Sequence, residues 1–438
     1  MSDLLRLITL QDSNTRVVLL GTTLLGVAAA LVGTFAVLRK RSLVGDAVAH
    51  AALPGIAAAY FIVGRSFVAL LIGALVFGVL SAAFVSVVKA ATRVKEDAAI
   101  ALAIGGFFGL GIVLTRIAQN QPEGNRAGLD GFIFGKAASM VADDARLILI
   151  VTIVLVVMVT LLHKELKSLC FDRDFAASQG WPTFALDLLL MALVCVCTVV
   201  GLPAVGVVLM VALLVIPPVA ARFWTDRLSV MLIIAAVFGG LSGLAGTALS
   251  ATVPAPSGSL SRGWPTGPLI VLVAAGIFIA SMLAAPRRGL LAEVIRRVRL
   301  RRRVATQNLL RDAFEALEAR GDLLALWKPE ELRRQADSRA MRTAMASGHI
   351  RPEAGAFALT AEGRAAAARV IRAHRLWEMF LIDQAAIAAD HVDRDADEIE
   401  HVLPPAVIVE LEARLAGDDG ARAGLAVPPS PHALGGVI

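Results

Sequence analysis

At 438 residues, with 57% hydrophobic residues, 18% charged residues and a mean hydropathy of +0.73, the chain is far more apolar than a soluble domain requires. That excludes a soluble globular enzyme and indicates a polytopic membrane protein. Charge is uneven: residues 1–286 carry 19 Lys+Arg against 14 Asp+Glu, 287–303 carry 8 against 1, and 304–438 carry 15 against 21, so a mildly basic membrane domain leads through a strongly basic junction to an acidic tail.

The first apolar run, Val17 to Leu38, is long enough to cross a hydrocarbon core of ~30 Å as a helix. Its positive charge, Arg39-Lys40-Arg41, follows the run, so it does not read as a cleaved signal peptide. Further spans are predicted at Asp46 to Val63, Ser66 to Val88, Ala98 to Ile117, Leu147 to His163, Thr183 to Val200, Val205 to Ala221, Leu228 to Ser250 and Gly267 to Ala285, which makes nine. Basic clusters at Arg39 to Arg41, Lys89 to Lys95, Lys164 to Lys167, Arg222 to Arg227 and Arg287-Arg288 follow the odd-numbered spans. By the positive-inside rule those loops are cytoplasmic, the amino terminus is outside and the tail inside. The loop from Gln119 to Asp144 falls on the outer side, with Leu129 to Gly135 apolar enough to lie on the membrane surface. Pro217-Pro218 predicts a kink or break in the short seventh span. Cys170, Cys195 and Cys197 offer no disulfide framework and read as packing residues.

Within the second span, Asp46 and His50 stand four residues apart, hence on one helical face about a turn from each other. Ionisable groups in a membrane segment cost at least a few kcal/mol and mark a functional site by default. A carboxylate oxygen and an imidazole nitrogen together suit Mn(II), Fe(II) or Zn(II). Two alternatives stay open on spacing alone: the two groups satisfy each other, or Asp46 sits at a helix start after Gly45. The span boundary leaves Asp46 near the cytoplasmic end, whereas a passage point belongs deeper.

The stretch Ser42-Leu43-Val44-Gly45-Asp46-Ala47-Val48-Ala49-His50-Ala51-Ala52-Leu53-Pro54-Gly55 resembles the signature of the permease subunits of bacterial manganese, zinc and iron ABC importers. The likeness continues through Lys95-Glu96-Asp97, Asp172-Arg173-Asp174-Phe175-Ala176, Gly201-Leu202-Pro203-Ala204-Val205-Gly206, Ile216-Pro217-Pro218 and Thr225-Asp226-Arg227-Leu228, covering residues from about 15 to 290. The resemblance implies an inner-membrane pore formed by a homodimer, or by a dimer with a related permease. It also implies separate cytoplasmic ATPase subunits and a periplasmic metal-binding protein. Asp46 and His50 become the expected metal-coordinating pair. The metal is cargo, with no permanently bound cofactor. The segment from Phe171 to Trp181, and within it Phe171-Asp172-Arg173-Asp174-Phe175-Ala176, becomes the coupling helix that docks on the ATPase, with Phe171, Phe175 and Ala176 as its apolar contact.

No nucleotide site is legible. Gly131-Phe132-Ile133-Phe134-Gly135-Lys136-Ala137 has the wrong glycine spacing for a phosphate loop and no Ser or Thr after the lysine. No Ser-His-Asp arrangement is visible either, so the chain is predicted to be a transporter subunit and not itself an enzyme.

Beyond the basic junction, which suits anionic lipid better than nucleic acid, the sequence becomes soluble in character. Helices are predicted from Gln307 to Arg320, Thr360 to Ala389, and twice between Asp390 and Arg414; residues from Gly417 read as disordered. Leu359-Thr360-Ala361-Glu362-Gly363-Arg364, His374-Arg375-Leu376-Trp377-Glu378 and Glu398-Ile399-Glu400-His401-Val402-Leu403 resemble the iron- and manganese-dependent winged-helix repressors. That likeness implies a regulatory metal held by His374, Asp397, Glu400 and His401. The amino-terminal ligand helix of those repressors has no clear counterpart, only Asn308 and Asp312, and the domain's net negative charge argues against DNA binding. The expectation is an all-α polytopic membrane protein of about nine helices (1–286), a basic junction (287–303), a cytoplasmic winged-helix-like domain (304–416) and a disordered end (417–438). A membrane-anchored metal-responsive regulator and an ATP-independent metal carrier are the rival readings.

Overall fold

The computed structural model describes residues 13–120, 135, 137, 140–252, 264–332, 337–385 and 405–415. The chain divides into two compact units, Met1–Ala292 and Glu293–Ile438.

The first unit is a helical bundle. Its helices are α1 (Ser13–Leu38), α2 (Val44–Val63), α3 (Phe67–Ala91), α4 (Glu96–Gln119), α5 (Ala142–Leu161), the short α6 (His163–Phe171) and α7 (Arg173–Ser178), then α8 (Thr183–Arg222), α9 (Leu228–Thr252) and α10 (Thr266–Ala284). Only helices and closed barrels satisfy backbone polar groups inside hydrocarbon, so apolar runs of this length take the helical form. Among the described residues, eight helices are long and apolar enough to span a membrane. Small residues set the closest crossings. A Cβ on Gly55 would lie 2.2 Å from the Gly73 carbonyl oxygen, and one on Gly26 would lie 2.2 Å from that of Gly239, so α2 meets α3 and α1 meets α9 backbone to backbone.

The count of eight against nine has one cause: the sixth and seventh predicted spans form the single 40-residue α8. A straight helix of that length would measure ~60 Å, twice the hydrocarbon thickness. It is not straight, because Gly206 takes φ 80° and ψ 171°, outside the helical region. Val194 and Leu214 would stand ~30 Å apart on an unbroken helix. Yet a Cβ on Gly45 would lie 3.9 Å from Val194 Cγ1 and 2.9 Å from Leu214 Cδ1. The two limbs, 183–205 and 207–222, therefore fold back on each other as a hairpin. Of the kink or break predicted at Pro217-Pro218, a break does not occur; both prolines are buried within the second limb, and the chain turns at Gly206 instead. The reason is steric, since only glycine takes this backbone conformation without strain. Replacing Gly206 by Val is expected to cost about 1–3 kcal/mol, read as a lower melting temperature in detergent.

In the second unit, α11 (Leu290–Ala319) supplies Leu310, Phe314 and Leu317 to a core with Trp327, Met341, Ile350, Leu359 and Ile371. After α11 come a 3-10 turn at Pro329–Glu331, α12 (Ser338–Ala346), β1 (Ile350–Glu353), β2 (Ala356–Leu359), α13 (Ala361–Ala385) and α14 (Pro405–Leu415). The strands pair antiparallel, Ile350 opposite Leu359 and Glu353 opposite Ala356, around Ala354 and Gly355, both at positive φ. That is the hairpin turn whose twist matches the strands. Helices followed by this hairpin make a winged-helix arrangement. Gly363 has a specific reason: a Cβ there would lie 1.9 Å from the His349 carbonyl oxygen, where α13 crosses the end of the wing.

Candidate functional site

Asp46 occupies the first turn of α2 and His50 the next, with His50 Nε2 3.4 Å from Asp46 Oδ1. Both side chains are partly open, 26% exposed for His50 and 33% for Asp46, whereas Ala47, Val48, Ala49, Ala51 and Ala52 around them are fully buried. The pair thus lines the accessible face of an otherwise packed helix. His50 Nδ1 is buried with no hydrogen-bond partner among the described residues, and the ring meets Phe108 edge-on, centroids 4.9 Å apart. Asp46 makes no N-cap bond, since Leu43 holds the cap position and no side chain caps it. The capping alternative therefore fails.

The depth of the pair follows from its neighbours. Phe108 lies at the middle of α4, roughly 18 Å along the axis from Glu96. Val48, between Asp46 and His50, packs on Gly78 at the middle of α3. The site is therefore near mid-span. Hydropathy placed Asp46 at the membrane edge because an apolar window cannot register these contacts with the middles of α3 and α4. Pro54 adds a second feature: lacking an N–H, it cannot donate the helical bond to the His50 carbonyl.

A buried ion-pair cluster fixes the start of α2. Arg41 donates a hydrogen bond to Asp187 Oδ2 at 2.6 Å and forms an ion pair with Glu96, Nε to Oε1 2.5 Å, and Lys89 pairs with the same Glu96. Arg39 bonds Asp187 Oδ1 at 3.0 Å and the Leu169 carbonyl at 2.9 Å. These contacts join the ends of α1, α3 and α4, the start of α8, and α6. Reading for cargo-coordinating chemistry missed the cluster, although the signal was there: Asp187 is an acid at the start of an apolar run otherwise free of charge. Cys170 beside it is no nucleophile, because burial pushes its thiol up to about 12.

Phe171 ends α6 and Asp172 caps α7, its carboxylate accepting the Phe175 N–H at 2.9 Å. Phe171 and Phe175 are exposed, as is Trp181, while Ala176 is fully buried. The exposed apolar surface of this segment is thus formed by the two phenylalanines. Ala176 faces the bundle, and Trp181 joins the exposed set that the spacing argument left out.

In the second unit His374 Nε2 lies 3.2 Å from Glu378 Oε1, both side chains buried, and Arg311 Nη1 lies 3.2 Å from His374 Nδ1. Glu378 is one helical turn from His374, the same spacing as Asp46 and His50, and was not among the predicted ligands. Arg375 pairs with Glu318 at 2.6 Å. Asp397, Glu400 and His401 lie outside the described residues. Among the described residues no group of three or more His, Cys, Asp or Glu converges on one point.

Comparison with known proteins agrees with this architecture. Residues 11–285 match the ABC 3 transport family, and residues 360–417 match the iron dependent repressor, metal binding and dimerisation domain. The chain is 38% identical to the manganese transport system membrane protein MntC of Bacillus subtilis, over 88% of each chain. It is 44% identical to the zinc transport system membrane protein TroC of Treponema pallidum, over 65% of this chain and 93% of that one. Among solved structures, PsaBC from Streptococcus pneumoniae in complex with Fab matches with a TM-score of 0.55 and 29% identity, covering 64% of this chain and 94% of that chain. A spanning helical bundle with this match over more than half its length identifies the chain as a membrane permease belonging to the ABC 3 transport family.

Proposed function

We propose that this chain is the permease subunit of an ATP-driven importer of a divalent transition metal, with Asp46 and His50 contacting the ion in the pore. The observation that carries the reading is the Asp46/His50 pair, partly open on a buried helix at mid-span height. A carboxylate oxygen and an imidazole nitrogen there suit a first-row divalent ion. Two donors leave the remaining coordination to water or a second copy, which suits passage better than retention. The names of relatives that move manganese and zinc support the same class of cargo.

In this reading the chain pairs with a second permease copy, two separate ATPase subunits bind the Phe171 to Ala176 segment on the cytoplasmic side, and a periplasmic protein delivers metal. The amino terminus is then outside and the tail inside, an orientation that the loop charges support, and the nine crossings among the described residues, with the α8 hairpin counted as two, put the two ends on opposite sides. ATP-driven closure moves the coupling segment, and the ion-pair cluster passes that motion to the start of α2, because Arg39 holds the Leu169 carbonyl while Arg41 stands three residues before Val44. The tail is proposed as a sensor in which His374, with Asp397, Glu400 and His401, holds imported metal and restrains transport. Glu378, against His374, is a fitting further oxygen donor.

The test is metal uptake by membrane vesicles carrying the whole complex, with the full chain and with a chain ending at residue 303. Uptake should require ATP and an ATPase should co-purify; ATP-independent uptake without an ATPase would make the chain a secondary carrier. The truncated chain should lose inhibition by internal metal, and unchanged inhibition would sink the sensor role.

A further inference from the structure

Five residues separate the end of the last spanning helix at Ala284 from the start of helix α11 at Leu290, so covalent geometry holds that start within ~20 Å of the membrane boundary. Its first half, residues 290–303, is helical but contributes nothing to the core of the second unit, whose α11 members begin with Leu309. At 3.6 residues per turn, Leu291, Val294, Ile295 and Val298 fall on one arc about a third of a circle wide. All four are exposed, between 41% and 56%. Arg296, Arg297, Arg299 and Arg303 occupy the remaining arc together with Leu300, and Glu293 pairs there with Arg296 and Arg297; Arg302 falls back on the apolar arc, so the stripe ends at Val298. Residues 287–303 hold eight arginines and one acid.

We propose that residues 290–303 form an in-plane amphipathic helix that sinks the Leu291, Val294, Ile295 and Val298 stripe among acyl chains and holds anionic phospholipid headgroups with its arginines. A hydrophobic stripe explains insertion, and flanking guanidinium groups explain a requirement for negative lipid, since neither alone gives stable surface binding. A nucleic acid would use the arginines but leave the apolar stripe in water. Charge complementarity and the covalent tether to a spanning helix both favour the bilayer over a second copy.

The experiment uses the full chain in nanodiscs of phosphatidylcholine, with or without phosphatidylglycerol, in a background where Cys170, Cys195 and Cys197 are replaced by Ala. A polarity-sensitive fluorophore is attached through Ile295→Cys or, separately, Arg297→Cys. At Ile295→Cys the emission should shift blue and be quenched several-fold by nitroxide-labelled acyl chains when phosphatidylglycerol is present. The triple change Arg296→Gln, Arg297→Gln and Arg299→Gln should reduce that quenching, and the label at Arg297→Cys should remain accessible to aqueous iodide. Equal aqueous quenching at both positions would overturn the proposal. So would protection of Ile295→Cys that is the same in detergent and in both lipids, which would place protein on the stripe instead.

Discussion

Asp46→Ala and His50→Ala are each expected to lower metal uptake on the order of 100-fold or more while the protein inserts normally, because outer-shell changes alone cost 10–100-fold at metal sites and these are proposed contacts to the ion. Most of the packing of α2 comes from the small and apolar residues around the pair, to which the His50 ring adds a single edge-on contact with Phe108. The melting temperature should therefore hardly move. The check is accumulation of manganese and zinc measured by elemental analysis in cells expressing equal amounts of each inserted variant. His50→Asn, which keeps a polar group but not a ring nitrogen, should behave as His50→Ala.

The second large effect is expected at Asp187. It accepts bonds from two arginines while only 6% exposed, so Asp187→Ala leaves Arg39 and Arg41 without that partner in a buried setting. Removing one member of a buried pair costs about 3–5 kcal/mol, far above the ~1 kcal/mol or less of a surface ion pair. The loss should appear as a steep fall in melting temperature. Asp187→Asn, which still accepts hydrogen bonds, should recover part of the stability. If the cluster also transmits motion, Asp187→Asn should lower transport per ATP hydrolysed more than it lowers ATP hydrolysis itself.

The legible and illegible parts of this chain separate by physical cause. The spanning helices follow from the length of apolar runs, because lipid leaves the backbone no other choice. The one-turn relation of Asp46 to His50 followed from the helical period, and the structure has the two side chains 3.4 Å apart. The α8 hairpin reads as two spans, but the span boundaries put the turn over residues 201–204, and the prolines predict a kink or break at Pro217-Pro218 where the helix continues unbroken. Turn position depends on a single glycine φ, and two prolines can persist where neighbouring helices pack around them. Depth was also out of reach for hydropathy, since an apolar window cannot register that Val48 meets the middle of α3. Burial of Ala176 and the Glu378 partner of His374 likewise depend on tertiary contacts that no local pattern encodes.

X-ray absorption at the metal edge of the purified complex, loaded with manganese and trapped without ATP, addresses the contact itself. The account predicts imidazole back-scattering together with oxygen ligands in the wild type, loss of the imidazole signal in His50→Ala, and loss of one oxygen ligand in Asp46→Ala. A tail-deleted chain separates the pore signal from any contribution by His374. An unchanged metal spectrum in both variants of the tail-deleted chain would contradict the assignment of Asp46 and His50 as the passage site.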